Sequence, residues 1–166
     1  MYSANSEALS SILDHISQSI RERVVFQTDQ EPDAAALWCA ATYFMEVWNT
    51  FPKLLIVSPE RECGKTTMLR ALEPFARNAF LASNITPAAL YRLIDAEAPT
   101  LLIDEADTFL KHNLELQGLI NAGHTRRLAY KILTAPTTDG QHTSKRVPLW
   151  CAQAIAGIGE FADTIH

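Results

Sequence analysis

KLLIVSPERECGKTT, residues 53–67, sets a short apolar run against a loop and a helix start. Lys53 to Ser58 is flanked by Pro52 and Pro59, which predicts a buried strand. Residues 59–64 read as the loop. Lys65 to Ala76 reads as a helix, with Pro74 disturbing its last turn. Gly64, Lys65 and Thr66 match the second half of the phosphate-binding pattern G-x-x-x-x-G-K-[ST], while Pro59 stands where the first glycine belongs. These residue types suit the chemistry. A glycine lets the backbone approach phosphate closely, Lys65 supplies charge to the β- and γ-phosphates, and Thr66 offers a hydroxyl to Mg²⁺. The first helical turn aims N–H groups at the anion. The pattern assigns Pro59, Glu60, Arg61, Glu62, Cys63, Gly64, Lys65, Thr66 and Thr67 to nucleotide binding. Standing alone, GKT is a weak signal, and its bland alternative is an ordinary helix start.

The flanking sequence supplies context. Residues 6–22 have helical apolar spacing through Leu9, Ile12, Leu13, Ile16 and Ile20, with Ser6 as a candidate N-cap. Val24 to Thr28 is a short β-like run. Asp33 to about Asn49 predicts a second helix whose inward face carries Leu37, Ala40, Ala41, Phe44, Val47 and Trp48. Residues 79–83 predict another strand. Asn84 or Thr86 caps a helix reaching Glu97, with Pro87 early in it. Thr100 to Asp104 is a further strand candidate, and Leu114 to Ala122 a further helix. Residues 128–149 predict a hairpin turning at PTTDG, and Cys151 to Ile158 a final strand. Short strands alternating with helices predict a parallel α/β sheet.

LLIDEAD, residues 101–107, supplies the second half of the constellation. A buried strand running into Asp-Glu sets two acids at the carboxyl edge of the sheet, where open parallel sheets bind ligands. Asp104 is assigned to the Mg²⁺ shell beside Thr66, and Glu105 to the attacking water. The alternative is an acidic helix cap with Glu105 and Asp107 merely solvated. Two adjacent acids after an intervening strand point, by analogy, to the glutamate-using AAA+ and RecA-like branch of nucleotide hydrolases.

Four segments in order, SPERECGKTTMLRALEP, ASNITPAALYRLIDAEAPTLLIDEADTFLK, LQGLINAGHTR and AIAGIGEFADTI, resemble one family of P-loop domains of unknown function. Its members occur in phage, plasmid and other mobile-element proteins, often beside primase or helicase modules. The resemblance covers roughly residues 35–165, and members usually read SPE where Pro59 stands. It implies an ATPase serving mobile-element DNA replication, with ATP and Mg²⁺ as cofactors. The implied fold is a three-layer P-loop NTPase, a parallel sheet with helices on both faces. Residues 1–50 would be a helical segment packed on the core at 51–166. Members usually continue with an Asp-Arg pair and another strand, so a C-terminal strand beside the first is expected to be missing here.

The resemblance also singles out Arg126, in its GHTR motif, as a catalytic candidate that senses phosphate or reaches a neighbouring subunit's nucleotide. The latter role would require a homo-oligomer. The bland alternative for Asn121, His124, Arg126 and Arg127 is a helix end whose basic residues complement its dipole. A hairpin at the topological place of 128–149 enters the pore of several hexameric helicases. Lys131, Lys145 and Arg146 are therefore candidate DNA contacts, against the alternative of a solvated hairpin.

Composition bounds these readings. The chain has 166 residues and a formal net charge of −5, so general nucleic-acid affinity would need a local basic patch. No apolar run reaches the roughly 18–20 residues that cross a bilayer, and residues 1–23 carry acids with no secretion-signal pattern. Cys39, Cys63 and Cys151 have no metal-ligand spacing, which predicts reduced thiols and a cytoplasmic location. Cys39 and Cys151 are expected in the core. Cys63, beside Lys65 and a helix start, is a redox-sensitive candidate or a packing residue of the loop. Three functions follow in order: Mg-ATP hydrolysis of a helicase-like kind, nucleotide binding with little turnover, and a DNA-binding or assembly scaffold.

Overall fold

The computed structural model describes residues 2–60, 62–110, 113–136 and 142–158. Arg61, residues 137–141 where the sequence predicts the turn, and the family-like segment after Ile158 lie outside the described residues. Elements follow in the order α1 (Tyr2–Arg21), α2 (Gln30–Ala41), β1 (Leu54–Ser58), α3 (Lys65–Leu72), β2 (Ala79–Ala82), α4 (Pro87–Glu97) and β3 (Thr100–Ile103). They continue with α5 (Ala106–Phe109), α6 (Leu114–Ala122), β4 (Tyr130–Pro136), β5 (His142–Pro148) and β6 (Gln153–Ile158).

Four strands form one parallel sheet in the order β1-β6-β3-β2. The last strand in sequence is thus inserted between the first and third, with Leu54 to Ser58 pairing Ala154 to Ile158. Both faces of β3 and β6 are buried. On one face Leu102, Ala154 and Ala156 meet α1, α2 and α3, through Ile16, Ile20, Ala35, Leu69 and Leu72. On the other, Leu101, Ile103 and Ile155 meet α4, α5 and α6, through Leu90, Ile94, Ala106, Leu116 and Ile120. Covered faces explain why these strands read as continuous apolar runs rather than alternating ones. The fold is therefore a mixed α/β one with helices on both sides of a parallel sheet. The N-terminal helices share the core of α3 rather than forming a separate one. Among the described residues, no helix is long and apolar enough to cross a membrane.

Local signals explain several boundaries. Thr86 caps α4 by accepting from the Ala89 N–H at 3.3 Å, with Pro87 in the first turn where its missing N–H is harmless. Asn113 caps α6 the same way, accepting from the Leu116 N–H at 3.0 Å. α3 ends at Leu72, short of the predicted Ala76, since Glu73 is still helical but Pro74 has no N–H to continue the ladder.

Other expectations are corrected. α1 starts at Tyr2, because no Gly or Pro precedes Ser6 to break it. α2 starts at Gln30 rather than Asp33, since Pro32 is tolerated in a first turn. It ends at Ala41 in a 3₁₀ turn, Thr42–Phe44. Its buried face is Ala35, Ala36, Trp38 and Cys39, whereas Leu37, Phe44, Val47 and Trp48 are exposed. Apolar residues lie all round this helix, so periodicity could not select its face. Val24 to Thr28 is not a strand. Val24 and Phe26 pack on the core and Val25 is exposed, which produces strand-like alternation without a ladder. The predicted hairpin is present as β4 and β5, paired antiparallel from Tyr130 opposite Pro148 to Pro136 opposite His142.

Candidate functional site

The carboxyl end of β1 delivers Ser58, and the chain turns through the 59–64 loop into α3. The turn needs left-handed backbone at Glu62 (φ 60°) and at Gly64 (φ 82°), the N-cap of α3. An added Cβ at Gly64 would meet no atom within 4 Å, so backbone conformation rather than space favours glycine there. Lys65, the first helical residue, folds its ammonium back over the loop. It donates to Ser58 Oγ at 2.6 Å and to the Glu60 carbonyl at 3.1 Å. Ser58 Oγ in turn donates to that carbonyl at 2.6 Å. Ser58 is buried, so this triangle fixes the lysine to the strand end.

β3 ends one residue before Asp104. Asp104 is buried at 7% exposure, and its backbone N–H extends the β2–β3 pairing by donating to the Ala82 carbonyl at 2.8 Å. One carboxylate oxygen accepts from the Thr66 hydroxyl at 2.6 Å, and the other accepts from the Glu105 N–H at 2.9 Å. The first bond bridges across β6 and joins the two motifs that the sequence pairs. Glu105 then turns sharply, with φ at 52°. For a residue bearing a Cβ that conformation costs about 1–2 kcal/mol. It leaves the Glu105 side chain exposed beside the buried Asp104. Two consecutive acids thus have different surroundings, one clamped and one facing solvent.

The site holds two residues whose part is not evident from sequence. Ser58 reads only as the end of a strand. The usable signal is a small hydroxyl residue at the last strand position before the loop. Asp107 reads as a solvated acid, yet its carboxylate accepts from the Ile158 N–H at 3.2 Å. That bond ties α5 to the end of β6, the strand between the two halves of the site.

The remaining candidates lie elsewhere. Asn121 accepts from Lys53 at 3.3 Å, Thr125 bridges Thr50, and the Arg126 N–H donates to the Asn49 carbonyl at 2.9 Å. The Arg126 guanidinium also bonds the Glu46 carbonyl. These partners precede β1, so within one chain Arg126 lies at the amino edge of the sheet. A five-residue strand of roughly 17 Å separates it from the Lys65 cluster. Gly123 is there for packing, because a Cβ would come within 2.4 Å of Gln153 Nε2 and 2.9 Å of the Leu149 carbonyl. The hairpin cations are engaged as well. Lys131 pairs with Glu115 and sits over the Tyr91 ring, Lys145 pairs with Asp95 at 3.0 Å, and Arg146 stacks over Tyr130.

Burial pushes the Cys39 and Cys151 thiols up to about 12, consistent with inert core residues, and Cys63 is exposed. Comparison of the chain with protein-family models and with curated proteins finds no match.

Proposed function

We propose that the chain binds Mg-ATP and hydrolyses it, as a P-loop ATPase domain with the AAA+/RecA-like arrangement of a lysine loop and a two-acid strand end. The observation that carries this reading is the 2.6 Å bond between Thr66 and Asp104, formed between the lysine loop and the two-acid strand end. Mg²⁺ suits these donors. It is a hard ion that takes one or two protein oxygens together with substrate phosphates and water, and a hydroxyl beside a carboxylate provides such a pair. Thr66 and Asp104 would hold it, and its charge would offset the charge on the phosphate oxygens.

The chain's own residues supply the rest. Lys65 brings a positive charge that can exchange Ser58 and the Glu60 carbonyl for β- and γ-phosphate oxygens. The N–H groups opening α3 add partial positive charge at the same place. Asp104, held on both oxygens, stays fixed. Glu105, exposed on the next residue, orients water for attack on the γ-phosphate. Glu105→Gln keeps the shape and removes the charge, so it is expected to retain Mg-ATP binding and lose turnover by about 100-fold or more. Steady-state phosphate release checks this, and equal rates for variant and parent would sink the role.

The placement of Arg126 favours a second reading, nucleotide binding with slow turnover by an isolated chain. Its guanidinium is bonded at the opposite edge of the sheet, so an arginine contribution would come from another copy. Single-turnover hydrolysis that rises with protein concentration supports that arrangement. Rapid, concentration-independent turnover excludes it. Service in mobile-element DNA replication rests on the resemblance of the four sequence segments and is part of the same proposal.

A further inference from the structure

α2 is apolar on two sides, and the fold covers one of them. Ala35, Ala36, Trp38 and Cys39 are buried against the core. Leu37, Ala41 and Phe44 follow one another at helical spacing on the opposite side, where Leu37 is 56% and Phe44 58% exposed. Val47 and Trp48, in the turn that follows, are exposed as well. We propose that this outer stripe is the contact surface for a second copy of the chain, with the two α2 helices antiparallel about a two-fold axis near Ala41. The inference does not depend on the nucleotide site.

Three features carry it. The first is pattern. Single apolar side chains are common on protein surfaces, but a run of them aligned along one helix marks a face that is covered. The second is charge. At the start of the stripe Asp29, Glu31 and Asp33 stand against one arginine, Arg21, which pairs with both aspartates. At its far end two exposed arginines, Arg126 and Arg127, stand against one acid, Glu46, whose backbone carbonyl Arg126 bonds. An antiparallel copy lays the acidic start of each stripe on the basic end of the other, so the match is made twice. A parallel copy would set like charges together. Complementary charges of this kind select the partner and fix the register. The third is shape. Ala41 lies between Leu37 and Phe44, so a two-fold axis there brings Leu37 of each copy to Phe44 of the other. The small side chain of Ala41 at the centre lets the two helices approach closely, since the interaxial distance follows the side chains at the contact.

Sedimentation equilibrium of the whole chain, without nucleotide, tests the proposal. The parent is expected to reach the mass of two chains at about 100 μM and to approach that of one on dilution. Leu37→Glu and Phe44→Glu each set a charge on the stripe at an exposed position. Each is expected to weaken association about tenfold or more. Arg127→Glu sets a like charge against the acids of the other copy and is expected to weaken association about threefold or more. Adding Asp29→Lys to it is expected to restore association to within about twofold of the parent. That rescue keeps the test decisive if a glutamate on the stripe disturbs folding, because both exchanged charges are exposed. A parent that stays monomeric overturns the proposal, as does a dimer unaffected by either glutamate on the stripe. A mass that rises past two chains overturns it too, since a two-fold contact closes at two. Failure of the charge exchange to rescue overturns the antiparallel arrangement. A monomeric parent whose affinity for single-stranded DNA falls in Phe44→Glu would overturn the proposal and assign the stripe to nucleic acid instead.

Discussion

At Gly123 the structure separates two meanings of one motif. NAGHTRR reads as a phosphate-sensing segment because of its arginines, yet its glycine is needed for close packing with Gln153 and the Leu149 backbone. Gly123→Ala is expected to destabilise the fold by about 1–3 kcal/mol, since a backbone carbonyl at 2.9 Å cannot yield as a side chain can. Urea denaturation measures this, and an unchanged midpoint would contradict it. Mg-ATP affinity should stay at the parent's value, because the substitution lies at the edge of the sheet away from Lys65. The meeting of the lysine loop with the two-acid strand end is legible in the sequence, because Thr66 and Asp104, which bond to each other, lie in the two motifs that it pairs. Ser58 and the bond of Asp107 to Ile158 are not. Their roles arise from what the fold brings beside them.

Among elements, the joint between α1 and α2 depends on a charged cluster. Asp33 accepts from Ser17 at 2.5 Å and pairs with Arg21 at 3.1 Å, and Arg21 also pairs with Asp29. The Ser17 hydroxyl first, and then Arg21, hold the Asp33 carboxyl below its ordinary 3.8. A carboxyl with a folded value below its unfolded one adds stability that is fully present above the unfolded value. That contribution is lost as pH falls through the folded value. Asp33→Asn should therefore lower the thermal midpoint slightly at neutral pH, with the difference from the parent closing in acid below 3.8. A difference of constant size across that range would refute the assignment. The hairpin gives another prediction. Lys145→Ala with Arg146→Ala removes one ion pair and one cation–ring interaction on an exposed strand. If DNA is held there, single-stranded DNA affinity falls and its salt dependence flattens, with a slope change of about 0.7 for each phosphate no longer neutralised. Unchanged binding and slope would remove the hairpin from the interface. The four strands of the parallel sheet are legible because each is a short apolar run between punctuating residues. The buried face of α2 is not, because an apolar helix with few polar positions carries no directional pattern.

Over the whole molecule, sequence order and spatial order diverge. Alternating strands and helices announce a parallel sheet, but no local pattern reveals that β6 enters between β1 and β3. That insertion decides the site, since Thr66 reaches Asp104 across the end of β6 and Asp107 tethers the same strand. Arg126, a few residues past α6, lies far from Lys65 for a separate reason. The connection after α6 starts from the amino edge, and Arg126 is bonded there to Asn49 and Glu46. The proposed function makes Lys65, fixed by Ser58 at the end of β1, the anchor for a nucleotide triphosphate. Calorimetric titration of Mg-ATP into the parent and into Lys65→Ala tests it most directly. Saturable binding by the parent and a loss of about 100-fold or more in the variant are expected, with the thermal midpoint of the free protein little changed. Equal affinity in the two proteins would contradict it.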